Sequence, residues 1–185
     1  MPSPLAVLLS RMPAVAWVVA ATLLAAALAL WLQWLGHAWV GPTGPRMWDD
    51  VLGSTTNSQS LFDPYALLHL SFGMILLGVL RLYHLTWPAA MQACTAFAGL
   101  ATWEAVENVP AVIALFHPPT GASSYGGDSL LNVAGDLFAG MMGFALAWHG
   151  TGGRIVAALI AIELLAGVMI GDGLLIGTIR MVGVA

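Results

Sequence analysis

Three carboxylates and one histidine lie within long apolar stretches of the sequence. Glu104 and Glu107 belong to the segment WEAVEN, Asp136 ends the segment GGDSLLNVAGD, and His69 precedes both. Ionisable side chains are costly inside a membrane and usually serve a function there. A histidine and carboxylates can transfer protons or hold a cation that activates water. We predict these four residues as catalytic candidates, with His69 as a general base or a ligand.

Further polar residues share helix faces with these candidates. Asn108 lies four residues after Glu104, and residues 128, 132 and 136 are spaced four apart, so each set occupies one helical face. Two more acids lie in the last apolar stretch. The predicted substrate-binding or ion-binding residues are Asn108, Asp128, Asn132, Glu163 and Asp172.

The ligand types favour a hard divalent cation. Oxygen ligands with a single imidazole suit Mg²⁺, Mn²⁺ or Ca²⁺ better than Zn²⁺. A cation would also allow neighbouring carboxylates to stay ionised away from water. The candidate metal ligands are His69, Glu104, Glu107, Asp128 and Asp136.

Composition identifies the environment of these residues as a membrane. Of the 185 residues, 59% are apolar and 8% are charged, against about 25% charged in soluble domains. An apolar helix of about 20 residues crosses the hydrocarbon layer. We predict an all-α, polytopic membrane helix bundle of about five transmembrane helices, forming a single integral membrane domain over residues 1–185. The predicted spans are approximately 14–36, 65–83, 88–116, 129–148 and 155–179.

The arginines favour one orientation by a small margin. A cytoplasmic N-terminus places Arg11, Arg81 and Arg154 inside, and Arg46 and Arg180 outside. The loops 37–64 and 117–128 then face outward, and their glycine and proline content predicts ordered turns. The histidines next to the loops are predicted to be surface or interfacial. They are His37, His117 and His149.

Helical rise places the polar residues at similar depths. His69 and Asn132 lie about 6 Å below the outer boundary, and Glu104 about 18 Å below it. We therefore expect the second to fifth spans to converge around the polar residues. The first span, whose polar residues are Thr22 and Gln33, is expected to pack peripherally.

Four motifs resemble a family of bacterial multi-pass inner-membrane proteins of unknown function. They are NSQSLFDPYALLH (57–69), WEAVEN (103–108), YGGDSLLNVAGD (125–136) and ELLAGVMIGD (163–172). The resemblance implies a multi-pass protein of the bacterial inner (plasma) membrane and assigns no catalytic residue. The sequence is also, more weakly, similar to VanZ-type membrane proteins. It departs from the family pattern at Ser60, Phe72, Gly171 and Gly173, which makes a zinc or iron site less credible.

Three functions remain open from the residues. The polar cluster can be a divalent-metal or proton site, opening to the periplasmic side, that acts on a lipid-linked or small substrate. It can instead hold a lipid or solute in a binding or transport-accessory role, or join helices by hydrogen bonds within a membrane complex or homo-oligomer. The lipid bilayer is the expected partner. Nucleic acid is excluded, since the chain has no lysine and a net charge of -4.

Overall fold

The computed structural model describes residues 8–50, 56–84, 86–115, 125–181 and 183. The regular secondary structure of these residues is helical, and one isolated bridge joins Trp48 and Phe62. The helices are α1 (Ala14–Leu35), α2 (Ala66–Tyr83), α3 (Ala89–Glu107), α4 (Pro110–Leu115), α5 (Leu130–His149), α6 (Gly152–Ile170) and α7 (Leu174–Met181).

The predicted all-α membrane bundle is confirmed. Four of the described helices, α1, α2, α5 and α6, are long and apolar enough to cross a membrane. The fifth long helix, α3, has 19 residues and a lower mean hydropathy because it carries Glu104, Glu107 and Gln92. It packs against α1, α2 and α5. The most polar long helix is therefore enclosed by more apolar ones.

Local sequence explains where these helices begin and end. Gly36 and Gly171 follow α1 and α6 in the left-handed conformation, with φ of +93° and +66°, which glycine adopts without steric cost. Ser129 caps α5 by accepting a hydrogen bond from the backbone of Asn132. Pro110 begins α4, where a proline lacks no needed donor.

Two predicted spans are each divided into two helices. The third, expected over 88–116, breaks after Glu107, because Pro110 cannot continue the hydrogen-bond ladder of α3. The fifth, expected over 155–179, ends at Ile170, and the chain turns through residues 171–173 into α7. The sequence stays apolar across both breaks, so its hydropathy does not indicate where the helices end. Residue 116 and most of the predicted loop 117–128 lie outside the described residues.

Helix α1 packs peripherally, as expected, over most of its length, since Leu28 and Leu32 are the buried residues among its 22. Leu28 and Leu32 of α1 are buried against Leu100 of α3 and Leu137 of α5 in one apolar core. Helix α6 is also peripheral: its main helix contact is α2, and its described residues include a single buried one, Ala166.

Glycines bring α2 and α5 into direct backbone contact. A Cβ atom at Gly73 would overlap the carbonyl oxygen of Gly140, and one at Gly143 would overlap that of Leu70. Small residues of this kind allow close helix packing in membranes. The contact fixes α2 and α5 at the depth of their polar residues.

Candidate functional site

Three helices bring together the four residues predicted as catalytic. His69 extends from α2, Glu104 and Glu107 from α3, and Asp136 from α5. His69 Nδ1 lies 3.1 Å from Glu104 Oε1, and His69 Nε2 lies 3.8 Å from Asp136 Oδ2. His69, Glu104 and Glu107 each offer a ligand atom within 4.8 Å of the others. We call these four residues the inner cluster.

The inner cluster is buried, yet much of its hydrogen-bonding capacity is unused. Glu104 is 0% exposed, Asp136 2% and His69 6%. Five of their polar atoms have no hydrogen-bond partner, namely His69 Nδ1, both carboxylate oxygens of Glu104, Glu107 Oε2 and Asp136 Oδ1. Buried polar atoms are normally satisfied, because leaving one unpaired costs about 1–3 kcal/mol. An additional bound species would remove this cost.

The spacing of the facing atoms suits a cation. His69 Nδ1 and Glu104 Oε1 are 3.1 Å apart, but their orientation is not that of a hydrogen bond. Two ligands at right angles on a cation with bonds of about 2.1 Å lie about 3 Å apart. Glu107, one helical turn from Glu104, offers a third candidate ligand atom. Asp136 lies at the opposite side of the imidazole, beyond direct hydrogen-bonding distance of Nε2.

A second group of polar residues lies beside the inner cluster and is fully engaged. Asn108 donates from Nδ2 to Asp128 Oδ2 at 2.9 Å, and the backbone N–H of Asp128 donates to Asn108 Oδ1 at 2.8 Å. Tyr125 donates its hydroxyl to Asp128 Oδ1 at 2.7 Å. His37 contacts the backbone carbonyls of Asn108 and Asp128. We call these four residues the Asn108–Asp128 network.

Asp128, predicted as a metal ligand, uses its carboxylate in the hydrogen bonds of the Asn108–Asp128 network. Burial raises the pKa of Asp128, while hydrogen bonds from Tyr125 and Asn108 and the nearby His37 act in the opposite direction. Both carboxylate oxygens accept hydrogen bonds from these neighbours. The candidate ligand set on the described residues is therefore His69, Glu104 and Glu107, without Asp128.

The loop before α2 is fixed to the start of α5. Asn132 donates from Nδ2 to the carbonyl of Ser60 at 2.9 Å, and the backbone N–H of Ser129 donates to the carbonyl of Ser58 at 3.1 Å. The predicted ion-binding residue Asn132 thus joins two segments in this structure. Ordered turns in this part of the loop, as the sequence predicts, are confirmed for the described residues.

Asp63 is a buried acid that the motif analysis does not select as a site residue. Its carboxylate accepts hydrogen bonds from the backbone of Tyr65 at 2.8 Å and from the hydroxyl of Ser58 at 3.1 Å. Burial, together with the charge of Asp128, raises the pKa of Asp63 from 3.8 to about 6. An acid before a proline is favourable at the start of a helix, so the segment DPY indicates that Asp63 accepts hydrogen bonds from the backbone at the start of α2.

Glu163 and Asp172 are positioned elsewhere. The two oxygens of Glu163 accept hydrogen bonds from the backbone N–H groups of Leu174 and Leu175, both at 3.1 Å. Asp172 accepts one from the backbone of Gly173 at 2.8 Å. The expectation that these acids converge with the inner cluster is wrong, because the chain turns after α6 and Glu163 serves the first turn of α7.

His37 is the main residue whose position the sequence does not predict. It was expected to be surface or interfacial, and its partly buried imidazole lies between the carbonyls of Asn108 and Asp128, contacts that this expectation did not include. The following segment, Ala38 and Trp39, accepts hydrogen bonds from the backbone of Leu130 and Leu131. These contacts lie far apart in sequence, and no periodic pattern indicates them.

An apolar groove of about 520 Å³ lies between α1 and α3 but does not lead to the inner cluster. It is lined by Trp17, Leu24, Thr95 and other residues of the two helices. Thr95 and Glu104 are nine residues apart on α3, so they point in opposite directions at about 100° per residue. The groove therefore belongs to the other face of α3.

Comparisons with known proteins place the chain in one family. A family model described as "Protein of unknown function (DUF2585)" matches residues 32–184. The chain is 33% identical over 151 residues to a UPF0314 protein of Rhizobium meliloti, covering 80% of this chain and 76% of that protein. It is 32% identical over 167 residues to a UPF0314 protein of Sphingopyxis alaskensis, covering 90% and 88%.

No solved structure matches the chain. The likeness to VanZ-type proteins stays a prediction, since neither the family model nor these relatives are of that type. The resemblance to a bacterial membrane family is confirmed, because the family model covers most of the chain and its helices suit a membrane. The protein belongs to the DUF2585 family of bacterial proteins.

Proposed function

We propose that the protein binds a divalent cation within the membrane at His69, Glu104 and Glu107, and that this cation carries out its function. The observation that supports the proposal is the set of five unpartnered polar atoms in the inner cluster, above all both oxygens of the fully buried Glu104. A cation would satisfy several of these atoms at once and balance the adjacent charges.

The coordination chemistry favours Mn²⁺ or Mg²⁺. Carboxylate oxygens suit both ions, and one imidazole is compatible with Mn²⁺. A bound cation lowers the pKa of coordinated water and can make it a nucleophile near neutral pH. In this proposal, a lipid-linked or small substrate reaches the cluster from the side of Glu107, which is less buried than Glu104.

A proton is the second candidate species. His69 Nδ1 and Glu104 Oε1, 3.1 Å apart, can share one proton if Glu104 donates it after a small rotation. Carboxylate and histidine groups of this kind recur in membrane proton relays. Joining of helices by hydrogen bonds is a third candidate role. The Asn108–Asp128 network supports it for its own residues, since their polar side chains are hydrogen-bonded within the network.

Metal analysis of the detergent-purified full chain separates the cation from the proton. We expect one Mn²⁺ or Mg²⁺ per chain in the wild type, after equilibration with each ion and removal of the excess. Glu104→Gln and Glu107→Gln should lose it, since both preserve size and remove the charge. Glu163→Gln is the matched control and should retain it, because Glu163 contacts α7.

Two outcomes would count against the cation. A wild-type protein that retains no Mg²⁺, Mn²⁺, Ca²⁺ or Zn²⁺ would support the proton interpretation. A Glu107→Gln variant with full cation content, alongside a Glu107→Ala variant that fails to fold, would assign Glu107 to helix packing.

We also propose the bacterial inner membrane as the location, with a cytoplasmic N-terminus. Arg81 donates to the carbonyl of Trp148 at 3.0 Å, so the ends of α2 and α5 lie together beside the start of α6 and its Arg154. Positive residues favour the cytoplasmic side. A reporter fused after His84 should read cytoplasmic and one fused after Asp49 periplasmic. The reverse result would invert the orientation without altering the inner cluster.

A further inference from the structure

His37 lies between two backbone carbonyl groups. Its Nδ1 is 2.9 Å from the carbonyl oxygen of Asp128, and its Nε2 is 3.0 Å from the carbonyl oxygen of Asn108. A carbonyl oxygen can only accept a hydrogen bond, and a neutral imidazole carries one N–H. Both hydrogen bonds can therefore form together only when the ring carries two N–H groups and a positive charge.

We propose that His37, as an imidazolium, is a positioning residue that clasps the end of α3 to the start of α5 and so fixes Glu107 in the inner cluster. Asn108 follows Glu107 at the break after α3. Its side chain is paired with Asp128 through two hydrogen bonds, and His37 joins the main chains of the same two residues. The effect of His37 on cation binding rests on the proposed function. The charged contact of His37 with the two carbonyl groups, which we call the clasp, does not.

The chain provides room for the ring at this position. A Cβ atom at Gly127 would overlap His37 Cε1, and Gly127 has a φ of +94°, which favours glycine. The backbone carbonyl of His37 accepts a hydrogen bond from Gln33 Nε2 at 2.6 Å. Gln33 of α1 thus holds the backbone of His37, and the segment around Gly127 and Asp128 holds the ring.

The charges around the ring suit a cation. Asp128, at the start of α5, is the acidic residue next to the ring, and Tyr125 and Asn108 bind its carboxylate. On the α3 side, Glu107 precedes the carbonyl that accepts from Nε2. From α1, the neutral Gln33 contributes a donor to the main chain. Asp128, whose carboxylate interacts with the charge of His37, can therefore serve as the counter-ion of an imidazolium at this position.

The charge state can be observed directly by ¹⁵N spectroscopy of histidine-labelled full chain in detergent at pH 7. The chain contains five histidines, and the His37→Gln spectrum identifies the His37 signals by difference. If His37→Gln does not fold, single replacements of His69, His84, His117 and His149 identify the signals of those four histidines, and the signals left over belong to His37. We expect both ring nitrogens of His37 to be protonated. One protonated and one unprotonated nitrogen would overturn the clasp.

The positioning role is tested by Mn²⁺ affinity. His37→Leu should weaken binding by about tenfold or more, the range seen when groups behind metal ligands are removed. His149→Leu, at the exposed end of α5, is the matched control and should bind as the wild type does. Gly127→Ala should weaken binding similarly, because its Cβ displaces the ring.

The outcomes separate the two proposals. A wild type that binds no cation but shows a doubly protonated His37 overturns the proposed function and leaves the clasp. A wild type that binds Mn²⁺ with an affinity unchanged by folded His37→Leu overturns the positioning role and leaves the cation site.

Discussion

Gly73 of α2 lies against Gly140 of α5 so closely that a Cβ atom at Gly73 would overlap the Gly140 carbonyl oxygen. This contact lies one helical turn beyond His69 and Asp136, which approach each other to 3.8 Å from the same two helices. The depth and separation of the inner cluster therefore depend on two residues without side chains.

Replacing Gly73 by Ala should separate α2 from α5. The added methyl group meets backbone, which cannot rotate away, and overpacking of this kind costs about 1–3 kcal/mol. We expect a lower thermal unfolding temperature in detergent and weaker cation binding. Gly78→Ala on the same helix is the control, since a Cβ there has nothing within 4 Å. Equal stability of the two variants would show that the helices do not pack in this way.

Replacing Asp136 by Asn should weaken cation binding without removing a ligand. Asp136 faces His69 Nε2, so its charge favours the tautomer that keeps the proton on Nε2 and leaves Nδ1 free to bind. Loss of such a partner typically costs 10–100-fold in metal affinity. Titration with Mn²⁺ measures the loss, and Asp136→Glu should restore part of it. Complete loss in a folded Asp136→Asn protein would instead identify Asp136 as a ligand.

Much of this arrangement could be predicted from sequence, because spacing and depth are local properties. The faces of α3 and α5, and the meeting of His69, Glu104, Glu107 and Asp136, follow from helical periodicity. Which acids remain unpaired does not, since it depends on partners distant in sequence. Asn108 engages Asp128, which was a candidate metal ligand, and a chain reversal after Ile170 engages Glu163 with α7.

Replacing Glu163 by Gln should weaken α7 and leave the inner cluster intact. Glu163 accepts two backbone hydrogen bonds at the N-terminus of α7, where a negative charge is favourable by about 0.3–1 kcal/mol. We expect faster proteolysis after Ile170. Mass spectrometry of the fragments measures it. Unchanged Mn²⁺ affinity in the same preparation would confirm that Glu163 is not part of the cation site. A matching loss of affinity would contradict the separation seen here.

Asp63 should make stability depend on pH between about 4 and 6. Its pKa is raised from 3.8 to about 6 in the folded protein, so the folded state binds this proton more tightly than the unfolded state. The contribution of Asp63 is greatest below pH 3.8, falls as pH rises, and is constant above about pH 6.

The difference between 3.8 and about 6 corresponds to about 3 kcal/mol. Asp63→Asn should therefore gain stability relative to the wild type as pH rises from 4 to 7, measured by unfolding in detergent at each pH. Asp50→Asn, in the same loop, is the control. A constant difference between Asp63→Asn and the wild type across this range would show that Asp63 does not hold the proton.

The end of α1 supplies donors that the interrupted helix α3 needs. Trp31 Nε1 donates to the carbonyl of Ala105 at 3.1 Å, and His37 contacts that of Asn108. Hydrocarbon offers no water to bind carbonyls left open by a helix break. The final turn of α1 and the segment after it therefore belong to the architecture of α3.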